Sequence, residues 1–242
     1  MLTNIVLSDV QKAAIEQHVL SQYPNEACGL LTTNRYVACN NVHNEPEKNF
    51  RFDKRELAQH FGQTVAIVHS HCRNPRKASP FDPRTPSYKD FNNQKLTNKP
   101  WLIVACEGLT VSEPLQFPRQ PDNNYLQRPF IWFINDCYTL VQDWYRFELG
   151  IELKEYVIDK DYEDIRHLNY IFAGNIEAYG FREIKLKDIA EGDLILLDHS
   201  GFKENHLGIY TKGQVLHQDT FSVQVPFQTF LGRINKVLTY VG

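Results

Sequence analysis

Apolar residues at Val10, Ala14, Ile15, Val19 and Leu20 recur at helical spacing, with Ser8 or Asp9 placed to cap the first turn and Tyr23-Pro24 to end it. The period then shortens. Alternating or wholly apolar runs over 27–32, 36–41, 50–52, 64–69 and 101–106 predict strands, with helices over 54–61 and from 87 to about 97. This is a mixed α/β unit. Between Val111 and Pro129 the periodicity lapses into S-E-P-L-Q-F-P-R-Q-P-D-N-N, the composition of a linker. The expected division is a first domain over 1–115, a linker over 116–122 and a second domain over 123–242. In the second, Asp136 caps an amphipathic helix from Cys137 to about Leu149, with Leu140, Val141 and Trp144 on one face and Gly150 as its stop. A polar, helical middle leads to strands over 193–197, 206–210, 215–217, 221–225 and 233–240. A helix followed by a β-meander is an α+β pattern, so the fold class is α/β plus α+β.

Composition narrows the function more than the fold. The 242 residues are 42% hydrophobic and 23% charged, ordinary globular values that exclude disorder and coiled coil. The longest apolar runs, 101–106 and 194–197, are far too short for a membrane helix. The first residues show neither a basic start nor a long apolar stretch, so a cytoplasmic product without a secretory signal is expected. A net charge of −3 gives no reason to expect nucleic acid. Five cysteines without a C-x-x-C pair argue against a disulfide scaffold or a Cys-rich zinc module.

The run Thr64-Val-Ala-Ile-Val ends in His69-Ser70-His71. Side chains two apart on a strand share a face, so both imidazoles can meet one ion. Two histidines and a carboxylate leave a tetrahedral Zn²⁺ one position for water. With nine histidines in the chain the pair alone is weak evidence. It gains weight from two Ser-x-x-Asp candidates downstream, Ser79 to Asp82 and Ser87 to Asp90, and from Glu26 in Y-P-N-E-A-C-G-L-L. With F-R-F-D and K-P-W-L-I-V-A, the pattern over about 3–112 resembles the JAMM metallopeptidase family. That resemblance implies one Zn²⁺ held by His69, His71 and the Asp, with Glu26 as general base and the Ser steadying an oxyanion. The family's seven-residue spacing selects Ser79 and Asp82, yet Pro83 and Pro86 would interrupt a helix there. Ser87 and Asp90 open an uninterrupted helix and are preferred. Cys72, beside His71, either reaches the metal or is a loop thiol.

A second constellation lies in the other half. Cys137 starts a helix, where N–H groups and the dipole favour thiolate. His206 and His217 fall on two strands that a tight turn at Lys212-Gly213 would set antiparallel, so His206 can polarise the thiol while His217 orients its ring. The order D-C-x-x-L-V, G-D-L-I-L-L, H-L-G-I-Y and a final His, over about 123–242, is similar to the NlpC-type papain-fold peptidases. The resemblance implies cleavage of peptidoglycan stem peptides after D-glutamate, with Cys137 as nucleophile, His206 as base, His217 orienting it and Tyr125 as an oxyanion or orienting hydroxyl. The two modules in this order resemble the tail tip proteins of long-tailed phages. That implies assembly in the host cytoplasm, a place at the virion tail tip, and other tail tip proteins and a ubiquitin-like tail assembly protein as partners. It implies neither nucleic acid binding nor a membrane-spanning segment. The alternative is a structural tail tip component in which one or both peptidase domains are vestigial.

Overall fold

The computed structural model describes residues 3–74, 82–155, 175–199 and 202–242. The chain divides into two compact units, Met1–Gln120 and Pro121–Gly242.

In the first unit, Ser8 caps helix α1 (Asp9–Gln22) through a capping box with Gln11, which satisfies two N–H groups that the first turn leaves open. Ile15 and Val19 are buried on its inner face, whereas Val10 is 78% exposed and takes no part in the expected stripe. Strands β1 (Cys28–Thr32) and β2 (Tyr36–Cys39) form a hairpin, α2 (Lys54–His60) follows, and β3 (Thr64–Cys72) crosses the centre. Helix α3 (Tyr88–Thr97) carries the chain from β3 to β4 (Trp101–Cys106), which lies parallel to β3. The sheet order is β2-β1-β3-β4-β5, with β5 (Leu115–Phe117) an edge strand antiparallel to β4. Phe117 is buried, so part of the Pro-rich stretch that reads as linker belongs to the sheet. The expected strand over 50–52 reduces to a single bridge between Phe52 and Asn41.

Alternation along β3 divides its two faces. Ala66 and Val68 pack with Ile15, Val19, Ala27, Leu31, Leu102 and Val104 into an apolar core. Their neighbours Ile67, His69 and His71 face the other way. One side of the sheet is therefore structural, and the other holds the polar groups. At Gly29 the ring of Tyr36 lies where a side chain would stand, 2.3 Å from an added Cβ, so this strand position admits only glycine.

In the second unit, α4 (Cys137–Trp144) continues as a π turn over Tyr145–Leu149 that stops at Gly150, with φ of 68°. Strand β6 (Phe181–Ile184) precedes the meander of β7 (Leu194–His199), β8 (Phe202–Thr211), β9 (Gln214–Gln218) and β10 (Ser222–Pro226). Strand β11 (Ile234–Tyr240) returns beside β7, giving the order β10-β9-β8-β7-β11-β6. The polar middle expected to be helical lies mostly in 156–174, outside the described residues. Helix α4 buries Tyr138, Leu140, Val141 and Trp144 against Leu194, Leu196, Leu207, Ile209 and Leu216. Its inner face also carries Asp143, fully buried and paired with Arg128 at 2.6 Å. Arg128 donates further to the carbonyls of Asn124 and Asp122, while its own main chain bonds to Ser222 and Gln218.

Candidate functional site

Cys28 pairs with His69 in the β1–β3 ladder, and the Ser70 N–H donates to the Ala27 carbonyl. One further step of the register puts Glu26 opposite His71 on the same face. From the other side, α3 delivers Asp90. The Nε2 atoms of His69 and His71 are 3.1 Å apart, and the Asp90 oxygens lie 3.2 Å and 3.3 Å from them. Neighbouring corners of a tetrahedral zinc shell with bonds of 2.0–2.1 Å are about 3.3 Å apart; the two Nε2 atoms are near that spacing, and one donor atom from each of the three residues lies within 4.8 Å of the others, so this donor set fits the ion. The chemistry agrees with the spacing. His71 Nδ1 lies 2.7 Å from the Pro83 carbonyl, which can only accept, so Nδ1 carries a proton and it is Nε2 that, once deprotonated, turns a lone pair toward the cluster. Phe50 stacks on the His69 ring at 4.7 Å and Trp101 meets it edge-on at 5.3 Å.

Asp82, the carboxylate favoured by spacing alone, is elsewhere: Arg84 binds it through its main-chain N–H, Nε and Nη2 at 2.8, 3.0 and 2.8 Å. Its companion Ser79 lies outside the described residues. Ser87 caps α3, its Oγ accepting from Asp90 N–H while Asp90 Oδ2 accepts from Ser87 N–H at 2.7 Å. The cap thus holds Asp90 in place as well as starting the helix. Cys72 points to the opposite face from His71 and donates to the Asn25 carbonyl at 3.1 Å, so it is not part of the cluster.

Charge is tightly managed here. Burial alone would raise Asp90, but the two imidazoles pull it well below the usual carboxylate range. Burial also opposes charge on His71, yet Asp90, Glu26 and the Pro83 carbonyl together push it up to about 9. Burial lowers His69. Glu26, 7% exposed, is pushed up to about 7 by burial and by Asp90, against His71 and Lys89. A carboxyl near neutrality can both take and return a proton.

In the second unit, Asp136 caps α4, accepting from Thr139 N–H and Phe133 N–H at 2.8 and 2.7 Å. Cys137 stands at the first turn, half-buried and packed against the core that includes Leu207, with the main-chain N–H groups of Leu207, Tyr138 and its own residue acting to lower its pKa. Leu207 follows His206 on β8, so the thiol lies against that strand. His206 and His217 are buried and joined by a 3.0 Å bond between Nε2 and Nδ1. The expected thiolate character is not met by the helix start. Burial, with the Asp136 carboxylate alongside, pushes the thiol up to about 12, because three N–H groups offset less than those two effects add. Gly208 keeps the strand crossing open: an added Cβ would lie 2.4 Å from Val215 Cγ1 and 3.5 Å from His217 Cβ. Tyr125 is bound elsewhere. Its hydroxyl donates to Glu148 at 2.9 Å, on the π turn that follows α4, at the other end of that helix from Cys137. The Pro83 carbonyl and the Arg128–Asp143 pair carry no sequence signature, and Phe50 and Trp101 belong to the F-R-F-D and K-P-W-L-I-V-A segments of the resemblance without a role having been read from them.

The family of prokaryotic homologs of the JAB domain matches residues 9–117, and the NlpC/P60 family matches residues 127–234. Over 226 residues the chain is 31% identical to tail tip assembly protein K of Escherichia phage N15, covering 88% of this chain and 87% of that one. Over 157 residues it is 30% identical to tail tip assembly protein K of Escherichia phage lambda, covering 64% and 70%.

Proposed function

Because the chain belongs to the family of phage tail tip assembly protein K, a JAB-like domain followed by an NlpC/P60 domain, we propose that it works at the tail tip with peptidase chemistry in both halves. The second half is a cysteine endopeptidase for peptidoglycan stem peptides, and the first a zinc-dependent peptidase that processes a tail protein. Its partners are other tail tip proteins and a ubiquitin-like tail assembly protein. It is made in the host cytoplasm and joins the virion tail tip. The observation that carries the reading is Cys137 at the start of α4, packed against the core that includes Leu207 of β8, the strand that carries His206, whose ring is tied to His217.

His206 binds His217 through Nε2, so proton exchange with Cys137 passes through Nδ1. His206 takes the thiol proton as Cys137 sulfur adds to the scissile carbonyl carbon, and returns it to the departing amine. The thioester that remains is cleaved by a water whose proton goes to the same imidazole. His217 holds the ring and shares its charge. In the first half, His69 Nε2, His71 Nε2 and Asp90 would hold the zinc, which when bound supplies a water of lowered pKa. Glu26 takes that water's proton and passes it to the leaving nitrogen. The exposed hydroxyl of Ser87 donates to the developing oxyanion.

The test is mass spectrometry of purified peptidoglycan after incubation with wild-type, Cys137→Ala and His69→Ala proteins. Wild type and His69→Ala should release the same stem-peptide fragments, and Cys137→Ala none. If no protein releases fragments, the structural reading of the second domain replaces the enzymatic one.

A further inference from the structure

Asp82 and Arg84 occupy a stretch that the chemistry above leaves unused, eleven and thirteen residues beyond His71. Asp82 Oδ1 accepts from Arg84 N–H and Nε, Oδ2 accepts from Arg84 Nη2, and the Asp82 carbonyl accepts from Thr85 N–H at 2.9 Å. Four bonds thus close a turn around a single residue, Pro83. Its ring fixes φ, and its carbonyl is the one that receives His71 Nδ1. A neutral imidazole carries its proton on either nitrogen. With the proton on Nε2, the ring would aim hydrogen, not a lone pair, at His69 and Asp90.

We propose that the Asp82–Arg84 clasp is a positioning device: it aims the Pro83 carbonyl at His71 and so holds that histidine in the tautomer that can bind a metal. The inference rests on reading His69, His71 and Asp90 as zinc ligands. It also accounts for the longer loop between His71 and Ser87, since the additional residues include both the clasp and the carbonyl it presents. A surface ion pair of the same residues would add little to stability and leave the ring of His71 untouched.

Two measurements decide it. In metal-free protein above about pH 9, where His71 is neutral, ¹⁵N spectra of the imidazoles should show it protonated on Nδ1, and Asp82→Ala or Arg84→Ala should move a measurable fraction of the proton to Nε2. Competition with a chromophoric zinc chelator should show zinc affinity falling about 10–100-fold in both variants, the usual effect of losing a group that orients a metal-bound histidine. Asp82→Asn, whose amide oxygen still accepts Arg84 N–H, should lose less. An unchanged His71 tautomer together with wild-type zinc affinity in the two alanine variants overturns the proposal. Should Asp82→Ala fail to fold, Arg84→Ala decides by the same readings. His69→Ala separates the two ideas: if it binds zinc normally, the ligand set is wrong, while the His71 spectra still decide whether the clasp sets the tautomer.

Discussion

The two sites treat charge in opposite ways. In the first unit, Glu26, His69, His71 and Asp90 arrive from three separated segments and are already charged or poised: Asp90 is held well below its usual range, His71 is pushed up to about 9 and Glu26 up to about 7. In the second, the reacting thiol is pushed up to about 12 and stays neutral. The first is built to hold a charge that comes from outside. On the proposed function the second has to make its own, with His206 receiving the proton only as the bond to substrate forms. The difference follows from the polar atoms around each group, since a carboxylate wedged between two imidazoles stabilises a cation and a thiol beside the Asp136 carboxylate does not.

The contrast breaks if either site depends on the other's chemistry. Cys137→Ala should lower release of stem peptides by at least about 10⁴-fold while leaving bound zinc at wild-type stoichiometry by elemental analysis. Coupled loss of both would sink the idea of two independent centres. Glu26→Gln should keep zinc and cut turnover by the first domain about 10²–10⁴-fold, because the amide cannot accept a proton. Loss of zinc instead would make Glu26 a ligand.

Metal-free protein sharpens the comparison through pH. His71 and Glu26 both have raised values, so their contributions to stability are fully present below the ordinary 6.5 and 4.5 and are lost as pH rises through about 9 and about 7. Calorimetry in chelator should therefore show the first domain's melting temperature falling from pH 7 to 9, above the range in which the lowered His69 acts in the opposite direction, with zinc flattening the decline. A rising midpoint would contradict these assignments. The smallest expected effect is structural: Gly208→Ala, which meets Val215, should cost about 1–3 kcal/mol in the second domain's thermal unfolding and leave the first unchanged.

The sequence made β3 legible because alternation puts His69 and His71 on one face, and it favoured Asp90 because Pro83 and Pro86 deny Asp82 a helix. The structure brings Asp90 to both imidazoles. What pattern could not show depends on contacts between distant segments. F-R-F satisfies a strand's alternation, yet Phe50 serves as a lid on His69 and Phe52 packs edge-on against it. Strand β5 spans three residues before Pro118, and β6 spans four, too few for a period to register. Helix α4 ends one turn early because its last residues widen into a π turn, which amphipathic spacing does not distinguish from α. The helix start at Cys137 and the Asp136 carboxylate beside it were visible, but the burial that, with that carboxylate, outweighs the helix start was not.

Arg128 has a mechanical consequence. Its guanidinium ties Asp122, Asn124 and Asp143 together while its main chain is fastened to Ser222 and Gln218. Tension drawn along the chain toward the second unit from its N-terminal side meets the bonds to Asp122 and Asn124 before it reaches the main-chain attachments of Arg128 to Ser222 and Gln218. Anchored this way, the start of α4 and the sulfur it carries are shielded from slack or strain in the residues before it.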